Sequence, residues 1–199
     1  MRWLVLHLRA RHAPAAAAAA VLSGVVAWFA WLLASDSRLV GPPTTAVAVM
    51  LAAVAAAQTF TGPDESLDRT AALSWPRVRA IHLLVVLTLV TGLFALSWAT
   101  EAQFGPFGFL LRDAAGLLGL TALGSVLLGA QRAWFAPLAW CLIAIPYSGP
   151  TDHLGLQLLT WMNQPVGTTS SMVLAVGLAV VGTAAFVRGT ARLPRAEAL

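Results

Sequence analysis

Arg112 and Asp113 stand side by side a few residues into a long apolar run, and they are the first place in this sequence where chemistry could reside. A charge at the centre of a bilayer costs about 2.5–3.5 kcal/mol on insertion scales. Counted from Phe107, the pair lies about five residues into the run, roughly 7–8 Å deep as helix. Neighbouring helical residues point about 100° apart, so the two are not expected simply to pair with each other. Arg112 can snorkel outward, and Asp113 would then need a partner from another span. One reading makes them a polar point in a path through the bundle or an interhelical lock. The plainer reading, preferred on sequence, starts the span later and leaves both at the interface.

Other reactive groups are sparse. No His-Glu-x-x-His or Gly-x-Ser-x-Gly pattern occurs, so zincin and serine-hydrolase sites are not indicated. The 12 Lys+Arg residues are all arginine. A chain without lysine has no P-loop lysine and no Schiff-base amine. The single Cys141 excludes an intrachain disulfide and a Cys-based zinc site, and it reads as a small buried hydrophobe. Asp152 and His153 are adjacent, yet without further ligands they read as a polar loop. No catalytic residue, metal site or cofactor of its own is therefore expected. Gln58 and Gln131 read as interfacial.

The elements that would position Arg112 and Asp113 follow from composition. Of 199 residues, 59% are hydrophobic and 10% charged, and mean hydropathy is +0.80. Soluble domains carry about 25% charged residues. A soluble enzyme and a nucleic-acid-binding domain are excluded on this ground, and disorder is excluded by the apolar content. Long Ala- and Leu-rich runs disfavour a β-barrel. The expectation is an all-α polytopic membrane protein with about six transmembrane helices in one bundle. The runs are 14–34, 40–60, 80–98, 109–130, 134–148 and 169–187. The fifth is short and interrupted by Pro146. The first reads as a retained span, because it is too long for a signal peptide and Leu32 fits the cleavage rule poorly.

Arginine placement predicts orientation. With the N-terminus in the cytoplasm, Arg2, Arg9, Arg11, Arg69, Arg77, Arg79, Arg132, Arg188, Arg192 and Arg195 are inside, and Arg38 and Arg112 lie toward the outside. Trp98 and Trp161 would mark the outer interface, and Trp3, Trp75 and Trp134 the inner one. His7, His12 and His82 then face the cytoplasm and His153 the exterior, so the four cannot cluster. Residues 1–13 form a basic cytoplasmic segment, either an interfacial helix or an ordinary flank. Residues 14–187 form the membrane domain, and 188–199 a basic cytoplasmic tail. The pI near 11.0 suits orientation signals better than nucleic acid. Small residues recur at four-residue spacing at Ala16, Ala20 and Gly24, at Thr121, Ser125 and Gly129, and at Ala175, Ala179 and Thr183, with Ala115 and Gly119 on another face. They permit close helix approach within the bundle or in a dimer.

The segment "TGPDESLDRTAALSWPRVRAIHLL" carries dense local signals. Thr61 and Asp64 form a capping-box pattern, and Pro63 suits a first turn. Asp64 and Glu65 complement the helix dipole, and Glu65 and Arg69 are spaced for an i,i+4 pair. A short cytoplasmic helix over about 64–73 is predicted, ended by Ser74 and Pro76. It is either a rigid handle for a soluble partner or an ordinary structured loop.

This layout resembles the permease subunit of an ABC-2-type transporter, with six spans and cytoplasmic termini. The likeness lies in the inner loop, where acidic and arginine residues precede a short coupling helix, a proline and a basic residue. In this sequence those are Asp64, Glu65, Asp68, Arg69, Pro76, Arg77 and Arg79. The loop departs from the common pattern where "RTAAL" stands in place of Gly-Thr-Leu. The resemblance implies a separate P-loop ATPase docking on 62–79, with ATP and Mg on that partner, and a second permease subunit, identical or related. It also implies short re-entrant helices in the last outer loop. Residues 153–162 fit, since about ten residues span only ~15 Å as helix and would dip and return. A membrane scaffold or regulator that binds a cytosolic partner through the same loop is the alternative. Membrane lipids surround either one. Lysine-free, Ala- and Arg-rich usage suggests a bacterial inner membrane.

Overall fold

The computed structural model describes residues 13–60, 75–147 and 149–189, and these are helical apart from short connections. Helix α1 is Ala13–Ala34, α2 Pro42–Ala57, α3 Trp75–Ala95, α4 Phe107–Leu128, α5 Phe135–Ala144, α6 Leu154–Leu159 and α7 Thr169–Arg188. Single 3₁₀ turns follow α3 at Leu96–Ala99, α4 at Ala130–Arg132 and α6 at Trp161–Asn163. The predicted cytoplasmic helix over 64–73 lies outside the described residues.

Local chemistry accounts for the boundaries. The alanine run 15–20 favours helix in α1. Pro42 and Pro43 open α2, where their fixed φ suits the first turn and their missing N–H groups leave nothing unpaired. Gly129, at φ +87, lets the chain turn sharply out of α4 in a region that side chains disfavour.

Among the described residues, four helices are long and apolar enough to cross a membrane: Ala13–Ala34, Pro76–Ala99, Phe107–Leu128 and Thr169–Arg188. The expected second and fifth spans are helical but shorter. The 16 residues of α2 reach about 24 Å, and the 10 of α5 about 15 Å. Pro146 and the turn before it end α5 early.

The central element is α4, largely buried, with α7, α3, α2 and α5 packed around it and α1 laid against α2. The main core joins Val49 and Ala53 of α2, Phe94 of α3, Leu110 and Leu117 of α4, and Ala175 of α7. A smaller cluster at the opposite end joins Ala57, Phe60, Leu83, Ala122, Ala133 and Phe186. The outward faces are apolar, with Leu22, Leu33, Leu84, Leu89, Val173 and Val180 exposed. Such a surface suits lipid rather than water, and the four long helices are compatible with a multi-pass membrane protein.

Two connections are zipped together at one end. Val40 N–H donates to the Gln103 carbonyl (2.8 Å) and Gln103 N–H to the Arg38 carbonyl (2.7 Å). Arg38 also pairs with Glu101 at 2.7 Å, both well exposed. Indole groups of Trp28, Trp31 and Trp98 donate to Thr100, Ser37 and Gly105 there. Trp98 is thus a half-exposed residue at this end. Trp161 does not face outward: its exposure is 0%, because the chain after α6 turns into the bundle instead of along its rim.

Candidate functional site

Arg112 and Asp113 occupy the second turn of α4 and are 3% and 0% exposed. The expectation that they would not pair with each other is overturned. Arg112 Nε donates to Asp113 Oδ1 at 2.9 Å, and Nη2 lies 2.9 Å from the same oxygen. The two backbone directions still diverge. The long arginine stem curls back toward the short carboxylate, a reach that the Cα–Cβ angle alone does not measure. The guanidinium also lies over the Phe109 ring, 4.7 Å from its centroid.

The remaining donors of Arg112 face main-chain oxygens. Nη1 donates to the carbonyls of Gln164 (2.8 Å) and Pro165 (3.3 Å), and Nη2 to that of Met162 (3.1 Å). These lie in the segment after α6, whose residues Thr160 through Gln164 are all buried. A buried guanidinium of this kind is tolerable because opposite charge and carbonyl dipoles replace its water. Removing one member of such a pair costs about 3–5 kcal/mol.

The returning segment is seated by several further contacts. The Trp161 ring lies on Gly116, where an added Cβ would collide with it. Gly116 is one turn along α4 from Asp113, so the notch and the ion pair share a face. Asn163 Nδ2 donates to the Ala144 carbonyl at the end of α5 at 2.9 Å. Trp140 Nε1 donates to the Leu159 carbonyl at 2.8 Å. Cys141 Sγ is 3.5 Å from Met162 Sδ. Gln164 Nε2 donates to Thr160 Oγ1 at 2.7 Å, and Gln157 links to Thr151 and Ser170.

The seam is not fully satisfied. Asp113 Oδ2, Trp161 Nε1 and Asn163 Oδ1 are buried without a hydrogen-bond partner among the described residues, as are the hydroxyls of Thr45 and Thr91. An orphan of this type costs about 1–3 kcal/mol.

A second polar cluster lies at the opposite end. Thr59 Oγ1 donates to the Ala56 carbonyl (2.6 Å), which uses its one proton, so His82 Nε2 donates to it at 2.8 Å. Arg79 donates to the carbonyls of Gly189 and Phe186 and lies over the Phe186 ring. Arg77 is exposed. The start of α3 is thus tied to the end of α7. Asp64, Glu65, Asp68 and Arg69 lie outside the described residues. Asp152 and His153 are exposed in a loop, as predicted, and no cluster of metal-ligating side chains occurs among the described residues. An apolar groove of about 640 Å³ between α1 and α2, lined by Leu22, Val26, Val47 and Leu51, brings no reactive groups together.

Sequence reasoning named Arg112 and Asp113 but not their receptor. Gly116, Trp161, Asn163 and Gln164 form it. The available signal was three amides, Gln157, Asn163 and Gln164, in an otherwise apolar stretch too short to span. No family model matches this chain, and neither a curated protein nor a solved structure matches it.

Proposed function

We propose that this chain is the permease subunit of an ATP-driven exporter of the ABC-2 type, with both termini on the cytoplasmic side of a bacterial inner membrane. The observation that carries this reading is the segment 154–165, too short to cross, which turns back into the bundle beside four long apolar helices. It accompanies an inner loop whose sequence carries the coupling-helix pattern. ATP and Mg bind the partner ATPase, and two permease subunits, identical or related, enclose the path. ATPase closure pushes the loop 62–79, whose flanking Arg79 grips the end of α7. Helix α7 meets α4 where Gly119 and Gly182 touch, so a push on α7 reaches the helix that carries Arg112.

The test is affinity purification from native membranes, followed by transport assays in vesicles. The expected result is a co-purifying P-loop ATPase and ATP-dependent movement of a labelled lipid or amphiphile. Recovery of no ATPase overturns the proposal. An ATPase that binds without supporting transport of any cargo class would instead indicate the scaffold or regulatory role.

A further inference from the structure

We propose that residues 160–165 form a plug that leaves the bundle as a unit, and that Arg112 is its latch, a positioning residue acting through that segment. Its use as the gate of a translocation path rests on the transport reading above. Its separability from the bundle does not.

The bonding pattern is that of a latch. Arg112 grips the plug only through main-chain carbonyls, those of Met162, Gln164 and Pro165, so one swing of the guanidinium releases all of them together. The adjacent carboxylate gives this swing a physical basis. A lone arginine stripped of these carbonyls would be a stranded buried charge, whereas Arg112 keeps Asp113 Oδ1 when the plug departs.

The seam is also poised. Of the buried side-chain atoms without a partner among the described residues, Asp113 Oδ2, Trp161 Nε1 and Asn163 Oδ1 all belong to the latch or the plug. Withdrawal exposes them to water, which satisfies them, and this offsets part of the apolar area lost by Trp161 and Met162. Gly167 closely follows the segment, and a Cβ there would meet nothing within 4 Å. Gln157 meanwhile stays tied to Ser170 at 2.5 Å and Ser171 at 3.3 Å, so α6 remains on α7 while the turn beyond it moves.

The chain contains its own reporter. Cys141, the single cysteine, is 1% exposed behind Met162. The experiment measures the rate at which a water-soluble methanethiosulfonate reagent modifies Cys141 in full-length protein in lipid nanodiscs. The wild type is expected to react slowly. Arg112→Gln, which loses the charge and the fork, is expected to react about tenfold faster or more, because bonds to a charged donor are lost. Arg112→Lys is expected to fall between. A second reporter, Ser125→Cys in a Cys141→Ser background, sits in the buried opposite half of α4 and is expected to be unmoved by Arg112→Gln. An unchanged Cys141 rate in Arg112→Gln overturns the latch, and so does equal acceleration at the Ser125 reporter, which would mean general loosening.

A disulfide between Cys141 and the cysteine of a Met162→Cys variant tests whether the plug moves in use. Oxidation is expected to reduce ATP turnover of the complex with its ATPase to the uncoupled level, with recovery on reduction. Turnover unchanged after complete cross-linking overturns the plug as a moving part. Absence of any co-purifying ATPase counts against the proposed function instead, and the labelling rates then decide the latch by themselves.

Discussion

Gly119 of α4 and Gly182 of α7 meet backbone to backbone: a Cβ on either would run into the other helix's main chain, at the Leu178 carbonyl in one direction and the Gly119 carbonyl in the other. Helices in lipid gain little from burying apolar surface and associate through such close approach. This contact therefore sets the α4–α7 spacing on which the buried pair and the returning segment depend.

Gly119→Ala and Gly182→Ala are each expected to destabilise the bundle by about 1–3 kcal/mol through overpacking. Thermal midpoints of the detergent-solubilised protein check this. Gly177→Ala, on the same helix but with nothing within 4 Å of an added Cβ, should leave the midpoint unchanged or raise it slightly. Equal effects at Gly177 and Gly182 would refute the close contact.

Replacing Arg112 alone by Met should cost about 3–5 kcal/mol, since Asp113 is then a buried charge without its partner. The double variant Arg112→Met, Asp113→Leu should be less destabilised than Arg112→Met. A double-mutant cycle read by denaturation measures the coupling, and additive losses would show that the pair does not interact energetically.

The Arg38–Glu101 pair predicts the opposite scale. Both side chains are largely exposed, so Glu101→Gln should change stability by less than about 1 kcal/mol, with the effect fading at high salt. A large, salt-independent loss would mean that this pair, rather than the backbone bonds at Val40 and Gln103, holds the two loops together.

At the other end, Arg79→Ala should lower the thermal midpoint, because it removes donors to the carbonyls that end α7, while exposed Arg77→Ala should not. In the complex with an ATPase, charge reversal at Glu65 or Arg69 should weaken coupling of ATP hydrolysis without unfolding the bundle. ATPase rates measured with and without the permease, set beside circular dichroism, decide both points.

The positions of the helices were legible in the residues. Pro42, Pro76 and Gly129 mark starts and stops by backbone chemistry, and α7 begins at Thr169, where its apolar run begins. The length of the spans was less legible. The run 40–60 reads as one span, yet α2 ends at Ala57, where Gln58–Phe60 turn to place Thr59 against His82 and Phe60 against Phe186. Hydropathy registers polarity, and it carries no information about such a turn.

Composition alone determined that this chain cannot cover itself in water, and its apolar runs determined where helices form, because both depend on each residue's own chemistry. Only the tertiary structure decided that Arg112 and Asp113 are buried together and that Trp161 lies inside the bundle. The partners that hold Arg112 across the fold are main-chain carbonyls some fifty residues away, and a carbonyl has the same identity in every residue, so no local pattern of side chains announces it.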